Sequence, residues 1–558
     1  MKQQSSLPPS LVPNQWSGGR SDRSGRRLAW HMTVLVLLAL LIIFINPRGY
    51  IGGAYDDGRY LAAATEWAMH GPVLGHNHWS LRWPLVLPAA GIIRWAGLDF
   101  HALLIPGILS YLAMALVNYF GLRAAVSERA AFLGALGIIA TPGIAYWSCA
   151  LYPDLLEAVL WSAAFWCLWY GSHAGAGRAQ TRWMVAAGFI AGLSFCVRET
   201  SAGLTIGLLL ATLFLPRMPL RAWIFAGASA AVLPVADYAI LWVASGDPIY
   251  RLHVDLRHVA IPSEDMRGGE VKNQFAVLNT QIMERWAGAG PVHLHWAIDT
   301  YINFFLNFYY GLNYLAAAVL GFWYRSRRRA TFPAGPVVRG LIPALLSLGV
   351  ANTLWNLYVL ALNPSDRMFI PTTVMVTLVA AVLADRLWST RGVRRFVGLL
   401  MTVKVLSTLI VADTLPNYRD TVSEAANIAP PKGPIHVTWQ THANLALADP
   451  ALRRRLDMRP AEPGGYLLVY VGIRSPYNER LSPGRWRLVR WANAGHYPYV
   501  IRPIDSVLRW LNRPLVGHAD IQVRLFQRLP GSASDPAVVV GADGKDLPPD
   551  AGPPRETR

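Results

Sequence analysis

Residues 26–60 read RRLAWHMTVLVLLALLIIFINPRGYIGGAYDDGRY, and the fold turns on this stretch. Arg26 and Arg27 abut an unbroken apolar run, Leu28 to Ile45, and shortly beyond it two carboxylates stand side by side at Asp56 and Asp57. A helix of about 20 apolar residues crosses a bilayer core. The run has a basic flank but no small-residue cleavage site, so it reads as a retained first span with a cytoplasmic N-terminus.

The whole chain supports that reading. Its 558 residues are 53% hydrophobic and only 15% charged, with a mean hydropathy of +0.29, whereas a soluble domain carries about 25% charged residues. Further apolar runs cover roughly 101–122, 130–148, 153–171, 183–197, 201–215, 222–244, 299–324, 337–362, 367–385 and 396–413. With the first, these predict a polytopic α-helical membrane protein of about 11 transmembrane helices.

The formal charge of +18 would suggest nucleic acid in a soluble protein. Alternating sides from a cytoplasmic start places the tail and the segments 123–129, 178–182, 217–221, 325–339 and 385–395 inside, and together these carry +17. The charge is then a topology signal, not a nucleic-acid patch.

Four regions are expected. Residues 1–27 read as a disordered cytoplasmic tail, and 28–413 as the transmembrane domain with outer loops at about 47–99 and 245–298. Residues 414–530 read as a small periplasmic α/β domain, and 531–558 as a disordered tail. Within the third region, strands are predicted at Ile435 to Gln440, Tyr466 to Gly472, Trp486 to Trp491 and Ile521 to Gln527, with a helix at Ala443 to Leu456. Cys149, Cys167 and Cys196 lie in or beside apolar runs without metal or disulfide spacing, and read as packing residues.

Ionisable residues at the ends of apolar runs are costly and point to function. Asp56 and Asp57 open a predicted helix on which Tyr60, Ala64 and Trp67 recur at helical spacing. A cap needs one acid, which leaves the second to accept a proton at the membrane surface. Farther along the loop Arg82, between Leu81 and Trp83-Pro84, offers a donor fork suited to phosphate; the plainer reading is an interfacial anchor. Asp154 opens the fourth span, Arg198 and Glu199 split two apolar runs, and Arg367 enters a late span ahead of Pro371. Four outer edges thus carry acid or Arg.

At these residues the chain resembles the GT-C glycosyltransferases, particularly the protein O-mannosyltransferase and aminoarabinose-transferase branch. The resemblance covers roughly residues 28 to 400. It rests on Asp56, Asp57, Arg59 and Tyr60, then Arg82, Pro84 and Leu85, then Asp154, Arg198, Arg367 and Pro371. The family's usual Asp-Glu is Asp-Asp here, and its Lys-Pro-Pro is Arg82-Trp83-Pro84.

The resemblance implies a GT-C fold and an inverting transferase that moves a sugar from a polyprenyl-phosphate donor to a lipid, polysaccharide or protein acceptor. Asp56 would be the general base. Arg82, Arg198 and Arg367 would hold the donor phosphate, with Asp57, Arg59, Tyr60, Asp154 and Glu199 in support. The rival reading is a glycolipid transporter or flippase without covalent chemistry.

His76-x-His78 and His293-x-His295 have donors for a divalent metal bridging the outer loops. The preferred reading takes them as interfacial or sugar-facing histidines, so no cofactor is assigned and a divalent metal is the one alternative. The expected setting is a bacterial inner membrane, with membrane lipid as the surrounding partner, no nucleic acid, and the C-terminal domain in the periplasm.

Overall fold

The computed structural model describes residues 22–45, 56–75, 77–99, 101–260, 309–328, 336–356, 366–413, 418–437, 441, 445, 450–471, 477–480, 486–493, 522–530 and 538–541. The apolar runs become helices, because a helix satisfies its own backbone polar groups where water is absent. These are α1 (Asp22–Phe44), α5 (His101–Ala125), α6 (Glu128–Ile139), α7 (Pro142–Trp147), α8 (Pro153–His173), α9 (Arg178–Val197), α10 (Ala202–Ala211), α11 (Leu220–Ser245), α13 (Gly311–Arg328), α14 (Pro336–Leu354), α15 (Ile370–Arg386) and α16 (Arg391–Asp413). Between α1 and α5 lie α2 (Asp56–His70), α3 (His78–Leu81) and α4 (Trp83–Ala96), and α12 (Tyr250–Ala260) follows α11.

Among the described residues, five stretches are long and apolar enough to cross a membrane: Gly25–Phe44, Leu104–Ala125, Leu220–Ser245, Arg367–Arg386 and Arg391–Asp413. Helix α15 forms the centre. Every residue from Ile370 through Ala384 is buried, packed among α6, α8, α13 and α14.

Several boundaries differ from the expectation. Helix α1 begins at Asp22, inside the segment read as disordered, because an established helix extends cheaply into polar residues. The predicted span 130–148 is two helices, broken at Thr141-Pro142, where proline removes the backbone donor that would have continued the ladder. The predicted span 201–215 is a helix bracketed by 3-10 turns, Glu199–Ser201 and Thr212–Phe214. Residues 299–308 and 357–362 of two predicted spans lie outside the described residues.

Beyond the bundle, helix α17 (Tyr418–Ile428) packs on strands of a five-stranded sheet of order β2-β1-β3-β6-β5. Its strands are β1 (Ile435–Val437), β2 (Leu456–Asp457), β3 (Tyr466–Val471), β5 (Trp486–Asn493) and β6 (Gln522–Arg528). β1 runs parallel to β2 and β3, and β6 antiparallel to β3 and β5. The pairs Leu467↔Phe526 and Leu468↔Leu525 face opposite sides, as the two-residue period of a strand requires.

Between 443 and 456 the described helix is only Pro450–Arg453, and the segment ends in β2. The stretch read as a disordered tail holds β7 (Val538–Gly541), paired antiparallel with β4 (Tyr477–Arg480). Three consecutive valines at 538–540 supply the β preference there.

One hydrophobic cluster joins sheet to loop. It contains Tyr60, Leu61 and Ala64 of α2 and Leu85 and Val86 of α4, together with Val422 and Ala425 of α17, Leu468 and Leu525. The helices carrying the candidate site therefore share a core with the C-terminal sheet.

Candidate active site

The paired acids at the start of α2 face different ways. Asp57 is fully buried, and its Oδ1 accepts the Gly58 amide at 2.8 Å, within the helix's first turn. Asp56 faces the site instead. Its Oδ1 accepts from Trp79 Nε1 at 3.1 Å, and its Oδ2 from Arg367 Nη2 at 2.6 Å.

Arg367 lies in the 3-10 turn Asp366–Phe369 that feeds α15. Its guanidinium sits 4.4 Å from the Tyr152 ring and 5.5 Å from the Trp147 ring. Its Nε is also 3.8 Å from Asp154 Oδ2. On the other oxygen, Asp154 accepts from Arg198 Nη1 at 2.7 Å. Arg198 reaches on to Glu157 at 3.8 Å, and Glu157 accepts from Ser201 Oγ at 2.5 Å. The result is an alternating file: Asp56, Arg367, Asp154, Arg198, Glu157.

A second file starts one turn along α2. Arg82, at the junction of α3 and α4, donates to the Tyr60 hydroxyl and stands 3.7 Å from Glu199. Glu199 accepts from Arg251 Nε at 2.8 Å, and Arg251 donates to Asp237 at 2.6 Å and to the Cys196 carbonyl at 3.1 Å. Asp56 and Tyr60 are four residues apart, so one helix face feeds both files.

Burial alone would raise the Asp56 carboxyl, but the Arg367 and Arg82 charges, with hydrogen bonds from Arg367 and Trp79, hold it below its ordinary value. Burial pushes the Tyr60 hydroxyl up to about 12, so at neutral pH it stays a phenol that accepts from Arg82. On α12, burial and then the neighbouring Glu199 carboxylate push Asp255 up to about 7, against the pull of Arg251 and Arg82. A carboxyl pair in contact keeps one proton between them.

The structure thus gathers Asp56, Tyr60, Arg82, Asp154, Arg198, Glu199 and Arg367 into linked ion pairs and hydrogen bonds. Arg59 is exposed and lies 4.0 Å from the ring of Trp79, the residue whose indole N–H donates to Asp56. His78 is buried with its ring tilted 39° against that of Trp79, whereas His76, His293 and His295 lie outside the described residues. Among the described residues no three His, Cys, Asp or Glu side chains converge as metal ligands.

Sequence reading gave Glu157, beside Asp154 in the fourth span, no role of its own, and missed Asp237, Arg251 and Asp255. Two signals were present: Glu157 follows Asp154 at helical spacing, and Asp237 interrupts an otherwise apolar span.

Residues 73–242 match the family model described as dolichyl-phosphate-mannose-protein mannosyltransferase. Among solved structures, ArnT from Cupriavidus metallidurans bound to undecaprenyl phosphate superposes with a TM-score of 0.52 at 14% identity, covering 77% of this chain and 85% of that one. The apo ArnT of the same organism gives 0.49 at 13% identity over 80% and 93%. The Archaeoglobus fulgidus oligosaccharyltransferase in the apo form gives 0.47 at 13% identity over 76% and 64%. The shared fold is read from the first of these. A comparison with curated proteins finds no match.

The chain has the GT-C fold and resembles the membrane glycosyltransferases of the protein mannosyltransferase and ArnT type. It is a multi-pass membrane protein.

Proposed function

We propose that the chain is an inverting glycosyltransferase that takes a sugar from a polyprenyl-phosphate donor and passes it to a lipid, polysaccharide or protein acceptor at the periplasmic face of a bacterial inner membrane. The observation that carries the reading is Asp56: a carboxylate oriented by Trp79 and paired with an arginine that also serves Asp154.

The chemistry follows from these groups. An acceptor hydroxyl attacks the anomeric carbon on the face opposite the phosphate. The new C–O bond forms as the bond to the phosphate oxygen breaks, and that oxygen keeps the electron pair. Asp56 accepts the hydroxyl proton. A phosphate is already a competent leaving group, so the protein's larger task is to hold its charge. Arg367, Arg82 and Arg198 do so through charge-assisted hydrogen bonds. When the phosphate engages Arg367, the guanidinium withdraws part of its hold on Asp56, and the carboxylate becomes more basic as the donor arrives. Asp154 and Glu199 keep the arginines aimed in the meantime.

The C-terminal sheet shares a hydrophobic cluster with α2 and α4, which supports placing it on the same, periplasmic side. An open apolar groove of about 540 Å³, lined by Phe195, Pro234, Tyr238, Trp242 and Pro248 among others, lies close in sequence to Glu199 and Arg251 and suits a lipid chain.

The test uses purified protein, membrane extract and a polyprenyl phosphate carrying a radiolabelled sugar. Label that becomes covalently attached to an acceptor, and stays on the lipid with Asp56→Asn, supports the assignment. Label that crosses a vesicle bilayer still joined to its lipid would instead identify a flippase.

A further inference from the structure

Lys404 lies midway along α16 among apolar neighbours and is 2% exposed. An ionisable side chain at that depth is costly unless its donors are used. Its Nζ donates to the Gly137 carbonyl at 2.6 Å and to Asn313 Oδ1 at 2.5 Å. Both acceptors are neutral, and the reason lies in the broken helix beside it. The Thr141 amide turns back to the Ile138 carbonyl, so the Gly137 carbonyl, one of the orphans at the end of α6, is left to the Thr141 hydroxyl at 2.7 Å and to Lys404. The negative end of a helix dipole is a favourable place for a cation.

We propose that Lys404 is a positioning residue for Arg367; this rests on the reading of Arg367 as a donor-phosphate ligand. Two limbs lead from Lys404 to that guanidinium. Through Asn313 Oδ1, which also accepts the Thr377 hydroxyl at 2.9 Å, it fixes α15, at whose head Arg367 stands. Through Gly137 and Thr141 it fixes the end of α6 and the start of α7, which carries Trp147 to the guanidinium. The limbs meet tightly: a Cβ at Gly137 would lie 2.8 Å from Thr377 Cγ2 and 3.6 Å from Lys404 Nζ. Removing the Lys404 amine takes one donor from each of the Gly137 and Asn313 oxygens and frees α15 to shift against α7. Arg367 then loses its place between Asp56 and the aromatic rings.

The experiment measures binding of undecaprenyl phosphate to the full-length protein in nanodiscs, with melting temperature recorded alongside. Lys404→Met is expected to weaken binding about tenfold, equivalent to about 1.4 kcal/mol. The same substitution made on an Arg367→Gln background, where Arg82 and Arg198 still hold the phosphate, is expected to have little further effect. A lysine that merely stabilises the bundle would impose its penalty on both backgrounds, and that additivity overturns the proposal. So does wild-type affinity in Lys404→Met. If Lys404→Met does not fold, Gly137→Ala, which crowds the same junction and keeps the charge, is put through the same cycle and decides by the same criterion. Failure of the wild-type protein to bind the lipid is a different result, and removes the donor reading itself.

Discussion

Arg367 Nη2 and Asp56 Oδ2 meet at 2.6 Å across 311 residues of chain, joining the turn that leads into α15 to the first turn of α2. On the roles proposed above, the pair sets base and phosphate ligand against each other. Asp56→Asn is therefore expected to separate two properties. Transfer should fall by about 10² to 10⁴, the usual contribution of a positioned base. Binding of undecaprenyl phosphate should hold or tighten, because Arg367 loses its competing carboxylate. Single-turnover transfer and lipid binding on the same preparation check both, and a parallel loss of binding would contradict the division of roles.

The pH dependence carries a definite sign. The arginines and hydrogen bonds around Asp56 outweigh its burial and hold its carboxyl below the usual value, which for an unfolded Asp is about 3.9. A depressed carboxyl contributes stability that is present above that unfolded value and is lost as pH falls through the folded one. The acid limb of kcat/KM, which reports the free protein, should accordingly lie below the ordinary carboxylate range. Arg367→Gln removes the foremost of the lowering influences and should move that limb upward. A rate profile between pH 3 and 7 for the two proteins measures it; an unmoved limb would show that another group titrates.

Asp255 predicts the opposite slope. Its carboxyl is pushed up to about 7 by burial and by Glu199. Its contribution to stability is full below the unfolded value of about 3.9 and is lost as pH rises through about 7. Asp255→Asn removes the ionisation and should flatten the melting temperature of the protein between pH 4 and 7.5. Because the proton belongs to the Glu199–Asp255 pair, Glu199→Gln should flatten it as well.

Much of the site was legible because membrane physics makes ionisable residues conspicuous. Asp154, Arg198, Glu199 and Arg367 each stand where an apolar run begins or ends, and Asp56 and Arg82 lie in the loop between two runs. What a linear pattern does not contain is partnership. Arg251 follows a span by a few residues and reads as an ordinary loop charge until folding sets it against Glu199 and Asp237. Lys404 is hidden differently, since one lysine barely lowers the hydropathy of a long run, and its partners come from α6 and α13. The break at Thr141-Pro142 had a local signal in the proline. It was outweighed by the uninterrupted apolar character on both sides.

The contact between α9 and α11 supplies the last expectation. Gly188 and Gly192, four residues apart, put one bare stripe of α9 against α11, the small-residue spacing by which helices approach closely in lipid. A Cβ at Gly188 would lie 2.0 Å from the Ala226 carbonyl oxygen, and one at Gly192 would lie 2.3 Å from that of Ala230. Backbone, unlike a side-chain tip, has no rotamer by which to yield. Ser229 fixes the same register by donating to the Val185 carbonyl at 2.9 Å. Overpacking of this kind costs about 1–3 kcal/mol, and Gly192→Leu belongs at the upper end because the helices must separate bodily. The separation reaches the site, since α9 leads directly into Arg198 and α11 carries Asp237. Gly192→Leu should therefore lower the melting temperature and weaken undecaprenyl phosphate binding together. Gly227→Leu, on α11 at a position where an added Cβ meets nothing within 4 Å, should do neither. Equal behaviour of the two variants in a thermal melt would show that the α9–α11 contact does not set the position of Arg198.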